Sequence, residues 1–234
     1  MAAEGGSRRE LPFQGETLGI PIPGGGPSLS PDGTPLCFAG VSKGIEGDPF
    51  PSAIYVIDSR GGEPARLTEP GAGAGAPTRS PDGNQIAFTR SGNLFTIPAA
   101  GGEPRQISTA EDQVEGTSAG WSPDGELIAY LGKDNTLRVI PAAGGPSRVL
   151  ASNLGVLRYH GVTWSPDGQK IAFTAGNRIW KISRGGGEPK EIRMGLLGTP
   201  HQPDWSPDGK RIVFAFHKGG DTELWLMTGF PDME

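Results

Sequence analysis

The four residues Ser-Pro-Asp-Gly occur five times in this chain, at 30–33, 80–83, 122–125, 165–168 and 206–209. Their chemistry is that of a tight hairpin turn. Pro presets φ for the second position of a type I turn, Asp suits the third, and Gly takes the positive φ that returns the chain. The Ser hydroxyl can bond a backbone N–H and hold the turn closed. Asp32, Asp82, Asp124, Asp167 and Asp208 therefore read as turn formers. Three copies are preceded by Trp, at Trp121, Trp164 and Trp205, and several are followed by apolar runs such as "KIAF" and "RIVF". A large ring at one repeating place reads as packing between repeats.

The copies stand 50, 42, 43 and 41 residues apart, the first interval carrying an insertion around "SKGIEGDPFPS". A period in the low forties, written in strand and turn residues, is that of a β-propeller blade. The fourth unit runs "HGVTW", the turn, "KIAFTA", "RIWKIS", the hairpin "GGGEP" and "KEIRM". Four strands per unit make one blade. The expectation is an all-β, five-bladed propeller of four-stranded antiparallel blades, one domain over residues 13–234 behind a flexible tail of residues 1–12. The last unit ends after "TELWLMT" without an outer strand, while the N-terminal "GETLGIPI" stands where an outer strand belongs. Pairing the two would close the ring and leave no bare sheet edge.

The string "WSPDGQKIAF…IWKI…GGEPKEI" resembles the propeller repeat of the TolB family. It is also similar to repeats in the propeller domains of tricorn-like and prolyl oligopeptidase family proteins. The resemblance covers residues 16–228 and departs at Leu29 and Arg79, where the other units have Trp. It implies a propeller that serves as a binding scaffold.

Composition excludes several classes. The net charge is −5 and no Lys/Arg cluster stands out, which argues against nucleic acid, since phosphate contacts need concentrated positive charge. No segment approaches the ~18 apolar residues of a membrane span. Cys37, the single cysteine, sits in the strand pattern "TPLCFAG" and reads as a buried, inert thiol. The N-terminus has no apolar leader, so the chain as it stands reads as cytoplasmic, or as periplasmic or extracellular if an export signal was removed.

No set of residues reads as catalytic. "GTSAG" at 116–120 matches G-x-S-x-G around Ser118, but that motif needs a strand-to-helix elbow and here runs into Trp121 and a hairpin. "GGGEPK" lacks the Lys-Ser/Thr of a phosphate loop. No cofactor and no metal site is expected. What varies between units is the connection from each outer strand to the next inner strand. Loops on a rigid scaffold are where binding residues gather. The ligand-binding candidates there are Arg79, Asp112, Arg158, Tyr159, His160, His201 and Asp204, beside Glu111 and Glu115. The reading is a monomeric, non-catalytic scaffold for a protein or peptide, with a small molecule second. The alternatives are a glycan hydrolase or lyase using Glu111, Asp112, His160, His201 or Asp204 as acid and base, and a regulatory propeller detached from a peptidase or kinase.

Closure by the N-terminus has a direct test. Deleting residues 1–22 should lower the melting temperature sharply or cause aggregation, whereas deleting residues 1–10 should do little. Equal tolerance of both truncations, measured by thermal melting and light scattering, would refute it.

Overall fold

In a computed structural model, residues 26–41, 52–70, 73–155, 161–195, 198–218 and 221–228 are described, and every regular element among them is a strand. Blade 1 holds β1 (Ser28–Leu29), β2 (Pro35–Val41), β3 (Ser52–Asp58) and β4 (Ala65–Arg66). Blade 2 holds β5 (Gly75–Arg79), β6 (Gln85–Arg90), β7 (Asn93–Pro98) and β8 (Arg105–Gln106). Blade 3 holds β9 (Val114–Trp121), β10 (Leu127–Gly132), β11 (Thr136–Pro141) and β12 (Arg148–Ala151). Blade 4 holds β13 (Val162–Trp164), β14 (Lys170–Ala175), β15 (Arg178–Ser183) and β16 (Lys190–Ile192). Blade 5 holds β17 (Thr199–Trp205), β18 (Arg211–Lys218) and β19 (Asp221–Thr228). Within each blade consecutive strands pair antiparallel, so the five-bladed all-β propeller is as expected.

Each blade begins from the same turn. In blade 1 the Gly33 N–H donates to the Ser30 carbonyl at 2.9 Å, and Gly33 has φ of 75°. The Ser hydroxyl donates to the Asp carboxylate at 2.5 Å in all five copies. In blades 2 to 5 the same hydroxyl accepts the N–H of the residue opening the second strand, Gln85, Leu127, Lys170 or Arg211, at 2.9 Å. Bonds from Ser and from a backbone N–H hold each carboxyl below its ordinary range, and Asp124, which Arg184 also approaches, falls to about 2. Each of the five Asp thus bonds within its own turn.

The core lies between the blades. Side chains of a strand alternate faces, so the continuous apolar second strand of a blade serves two joints at once. Ile171 and Phe173 pack towards blade 3 with Leu131, Leu137 and Val139, while Ala172 packs towards blade 5 with Ile212, Phe214 and Phe216. Blades 2 and 3 meet through Leu94, Ile107, Ile128 and Ile140, and blades 1 and 2 through Cys37, Ile54, Ile86 and Phe88. The Trp residues act at these joints. Trp164 is 6% exposed and its indole N–H crosses to the Gly120 carbonyl of blade 3 at 2.9 Å. Trp121 makes the matching bond to the Thr78 carbonyl of blade 2 at 3.1 Å. Trp205 packs against the core shared by blades 4 and 5.

The joint of blades 1 and 2 departs from this plan because blade 2 carries Arg79 in place of Trp. Its backbone N–H donates to Ser28 Oγ at 3.1 Å and its Nη1 to the Gly83 carbonyl at 2.9 Å. The Ser28 carbonyl, which occupies the place of the indole acceptors elsewhere, instead receives the Cys37 thiol at 3.4 Å. Cys37 is fully buried, and that burial pushes its thiol up from its ordinary pKa.

The expected closing strand and the tail at residues 1–12 lie outside the described residues. Among the described residues nothing pairs with the outer edge of β19, where Leu224 and Leu226 are 78% and 55% exposed.

Removing the Trp164 ring should cost ~3–5 kcal/mol, the range for a buried aromatic cut to Ala. Trp164→Phe keeps most of the ring and loses the cross-joint N–H bond, so it should cost less, about 1 kcal/mol for that bond. Urea denaturation checks both, and a Trp164→Ala variant as stable as the wild type would mean the ring is no wedge.

Candidate functional site

The first strand of every blade is an edge strand facing the axis, and an edge presents unpaired backbone groups. Pro77 and Pro203 stand at one matched place in it, and Pro27 just ahead of β1, two residues before Arg79, Trp205 and Leu29 respectively. Proline is tolerated there because the missing N–H faces no partner strand, and it blocks pairing across the axis. In two blades the proline follows a residue with positive φ, Ala76 (50°) and Gln202 (51°), and the pairing register shifts there. Such a bulge re-aims the side chains beside it. In the other blades small residues take the same region. A Cβ on Gly120 would meet the Val162 carbonyl at 2.9 Å, and one on Gly161 would meet Pro203 at 2.3 Å. These glycines let neighbouring inner strands approach closely.

The result is an axial channel of about 520 Å³ bordered by the inner strands of all five blades. Immediately before the Trp place stand Ser28, Thr78, Gly120, Thr163 and Asp204, and all five line it. Thr163 Oγ1 donates to Asp204 Oδ1 at 3.0 Å across the joint of blades 4 and 5. Arg79 lines the channel too, and its Nε and Nη2 are buried without a protein acceptor. The channel thus offers hydroxyls, one carboxylate and one guanidinium.

The sequence candidates divide accordingly. Arg79 and Asp204 come together around the channel. His201 lies at the start of β17, three residues before Asp204, at the end of the blade carrying the outer-to-inner connections. Burial, and then the charge of His217, lower its pKa from the ordinary 6.5. Asp112 belongs elsewhere. It is 5% exposed and accepts from the Thr109 N–H (3.0 Å) and hydroxyl (2.8 Å), from Ser147 Oγ, and from Arg138 Nη1 (3.3 Å). Burial pushes its carboxyl up, but those bonds outweigh it and hold the pKa below the ordinary value. Its carboxylate fastens the connection between blades 2 and 3 to blade 3. Arg158, Tyr159 and His160 lie outside the described residues.

Ser28, Thr78, Thr163 and Gln202 were missed by sequence reasoning, which weighed charge and aromaticity above position. The signal was available, because each stands at a fixed offset from the repeating turn. Ser118 lies within β9, which continues into the hairpin and not into a helix. Among the described residues lining the channel, Asp204 is the one carboxylate. Among the described residues no group of three or more His, Cys, Asp or Glu is placed to hold a metal ion.

The family profile described as "TolB beta propeller domain" matches residues 19–178. Among curated proteins, an "Uncharacterized peptidase YuxL" of Bacillus subtilis is 32% identical over 108 residues, 44% of this chain and 16% of that protein. The matched part is thus a small fraction of that relative's length. Among solved structures, a putative TolB from Agrobacterium tumefaciens has a TM-score of 0.65 at 22% identity, covering 87% of this chain and 80% of that one. An oligogalacturonate lyase in complex with manganese has a TM-score of 0.64 at 19% identity, covering 87% and 61%. These likenesses are of fold.

The histidine pair gives a measurable titration. His201 should titrate below 6.5, the neutral form being favoured in the fold. Its contribution to stability is then complete above the unfolded pKa and is lost as pH falls through the folded one. His217→Ala removes the second cause, so the His201 midpoint, followed by the NMR shift of its ring Hε1, should move up part of the way. An unchanged midpoint would mean the two rings do not interact.

Proposed function

The chain belongs to the TolB beta propeller domain family, and on that premise we propose that it is a non-catalytic scaffold that recognises a protein or peptide at the channel mouth carrying the outer-to-inner connections. The observation that carries this reading is the convergence of Arg79, Thr163 and Asp204 from three blades on one channel. The exposed Asp204 carboxylate, held by a single hydroxyl, and the positive charge of Arg79 in the channel wall suit the polar termini or side chains of a peptide. The opposite face presents five near-identical turns. A small molecule in the same channel would use the same groups.

The experiment compares two double variants in capture of partners from a native lysate, with folding checked by melting. His201→Ala with Asp204→Ala should weaken capture at least about tenfold, the loss expected at an interface hot spot. Glu63→Ala with Glu188→Ala, in exposed hairpins of the opposite face, should leave the same capture unchanged. Unweakened capture by the first pair would refute the assignment.

A further inference from the structure

Ser59, Ala99, Ala142 and Arg184 hold matched places in blades 1 to 4. The backbone N–H of each donates to the carbonyl of the residue just after its own blade's turn: Thr34, Asn84, Glu126 and Gln169. In blade 4 that place carries a long cation, and it reaches back across the joint. Arg184 Nη1 meets Asp124 Oδ2 at 2.5 Å and Nη2 meets Glu126 Oε2 at 3.3 Å. Its guanidinium carbon lies 5.6 Å from the centre of the Trp164 ring. The space between the turns of blades 3 and 4 is therefore filled by an arginine held between an indole face and two carboxylates, a favourable setting for a planar cation.

One joint earlier the frame repeats in part and without its occupant: Asn84 stands for Glu126, and its side-chain amide donates to Asp82 Oδ2 at 3.0 Å, leaving the carboxylate charge in place. Trp121 stands for Trp164 and Asp82 for Asp124, but Ala142 stands where Arg184 would be. What remains is a groove of about 780 Å³ whose lining includes Trp121, Asp82, Glu103, Thr96, Arg105 and Ala142. We infer that this groove receives an arginine side chain from a partner peptide, its guanidinium over Trp121 and against Asp82, as Arg184 sits at the next joint.

The lining and its neighbours support both the cation and its source. The Ser80 hydroxyl and the Asn84 N–H hold the Asp82 carboxyl below its ordinary range, so it stays charged. Glu103 brings a second carboxylate to the lining. Arg105, also in the lining, is already engaged with the Ala142 carbonyl at 3.2 Å. At the filled joint the matched Arg148 donates to the Arg184 carbonyl at 3.0 Å, so a guanidinium there coexists with a cation at that place. The matched groove between blades 4 and 5, of about 340 Å³, is lined by Lys170 and Lys181 where blade 2 has Gln85 and Thr96. Those lysines suit it poorly for a cation. The groove between blades 2 and 3 is open and larger than one guanidinium group, which fits a side chain delivered on a peptide better than a free ion. It lies on the turn face, where Ser80, Pro81, Trp121 and Pro123 also border the axial channel, and the overall charge of −5 favours a basic partner.

The test follows the indole N–H signals of Trp121 and Trp164 by NMR during titration with the tripeptide Gly-Arg-Gly. The Trp121 signal should shift and saturate while Trp164 stays still. The citrulline tripeptide, neutral and of the same shape, should produce no saturable shift, and guanidinium chloride should act only at higher concentration. Ala142→Arg supplies the occupant from within and should abolish the response. Arg184→Ala empties the next joint and should make Trp164 respond as well, a readout that does not depend on Ala142→Arg folding. His201→Ala with Asp204→Ala should leave the response intact, which separates this site from the channel. A still Trp121 signal, an equal response to citrulline, a lower concentration sufficing for guanidinium alone, or a Trp164 that stays silent in Arg184→Ala would each overturn the inference.

Discussion

No blade in this ring can bury its own two faces. A four-stranded sheet with apolar residues on both sides has a core only when a neighbour is laid against each side, and the contact between blades is what everything else rests on. The second strands show why. Ile128 and Ala129 are adjacent in sequence, yet Ile128 belongs to the joint with blade 2 and Ala129 to the joint with blade 4. A run such as "KIAFTA" is apolar throughout because two cores need it. The Ser-Pro-Asp-Gly turn supports that packing by setting the register of the first two strands. It thereby places the residue before it, most often Trp, at the seam.

The channel follows from the same geometry. Inner strands crowd the axis where Gly120 and Gly161 allow a neighbouring backbone to approach, and prolines cap the edge elsewhere. Identical backbone positions then carry Ser28, Thr78, Gly120, Thr163 and Asp204. The fold fixes the places and leaves the chemistry free. This is how a repetitive frame obtains an asymmetric interior, with its carboxylate on blade 5 and its guanidinium on blade 2.

Much of the architecture is legible in the sequence. Turn residues and strand patterns are local, and their spacing carries the blade count and the order of strands within a blade. The site was less legible because its contacts are not local. Asp112 reads as an exposed loop acid, yet its partners Arg138 and Ser147 lie 26 and 35 residues further along the chain. Arg79 reads as a lapse from the Trp pattern, and only assembly of two blades reveals a guanidinium at the channel wall. The difference between a filled and an open groove turns on Arg184 and Ala142, two residues in similar hairpins that no local rule distinguishes. Their surroundings come from the preceding blade.

Cys37 has a consequence of a different kind. Its sulfur is sealed in the seam between blades 1 and 2, its proton directed at the Ser28 carbonyl, so a reagent in solution meets no thiolate while that seam is shut. Alkylation then waits on the blades parting. Under conditions where the seam recloses faster than the reagent attacks, the labelling rate measures the equilibrium of that opening alone, separately from the melting of the whole ring. A single sulfur thus makes one joint of a five-part ring chemically audible, a clock placed at the seam where the Trp wedge has been exchanged for arginine.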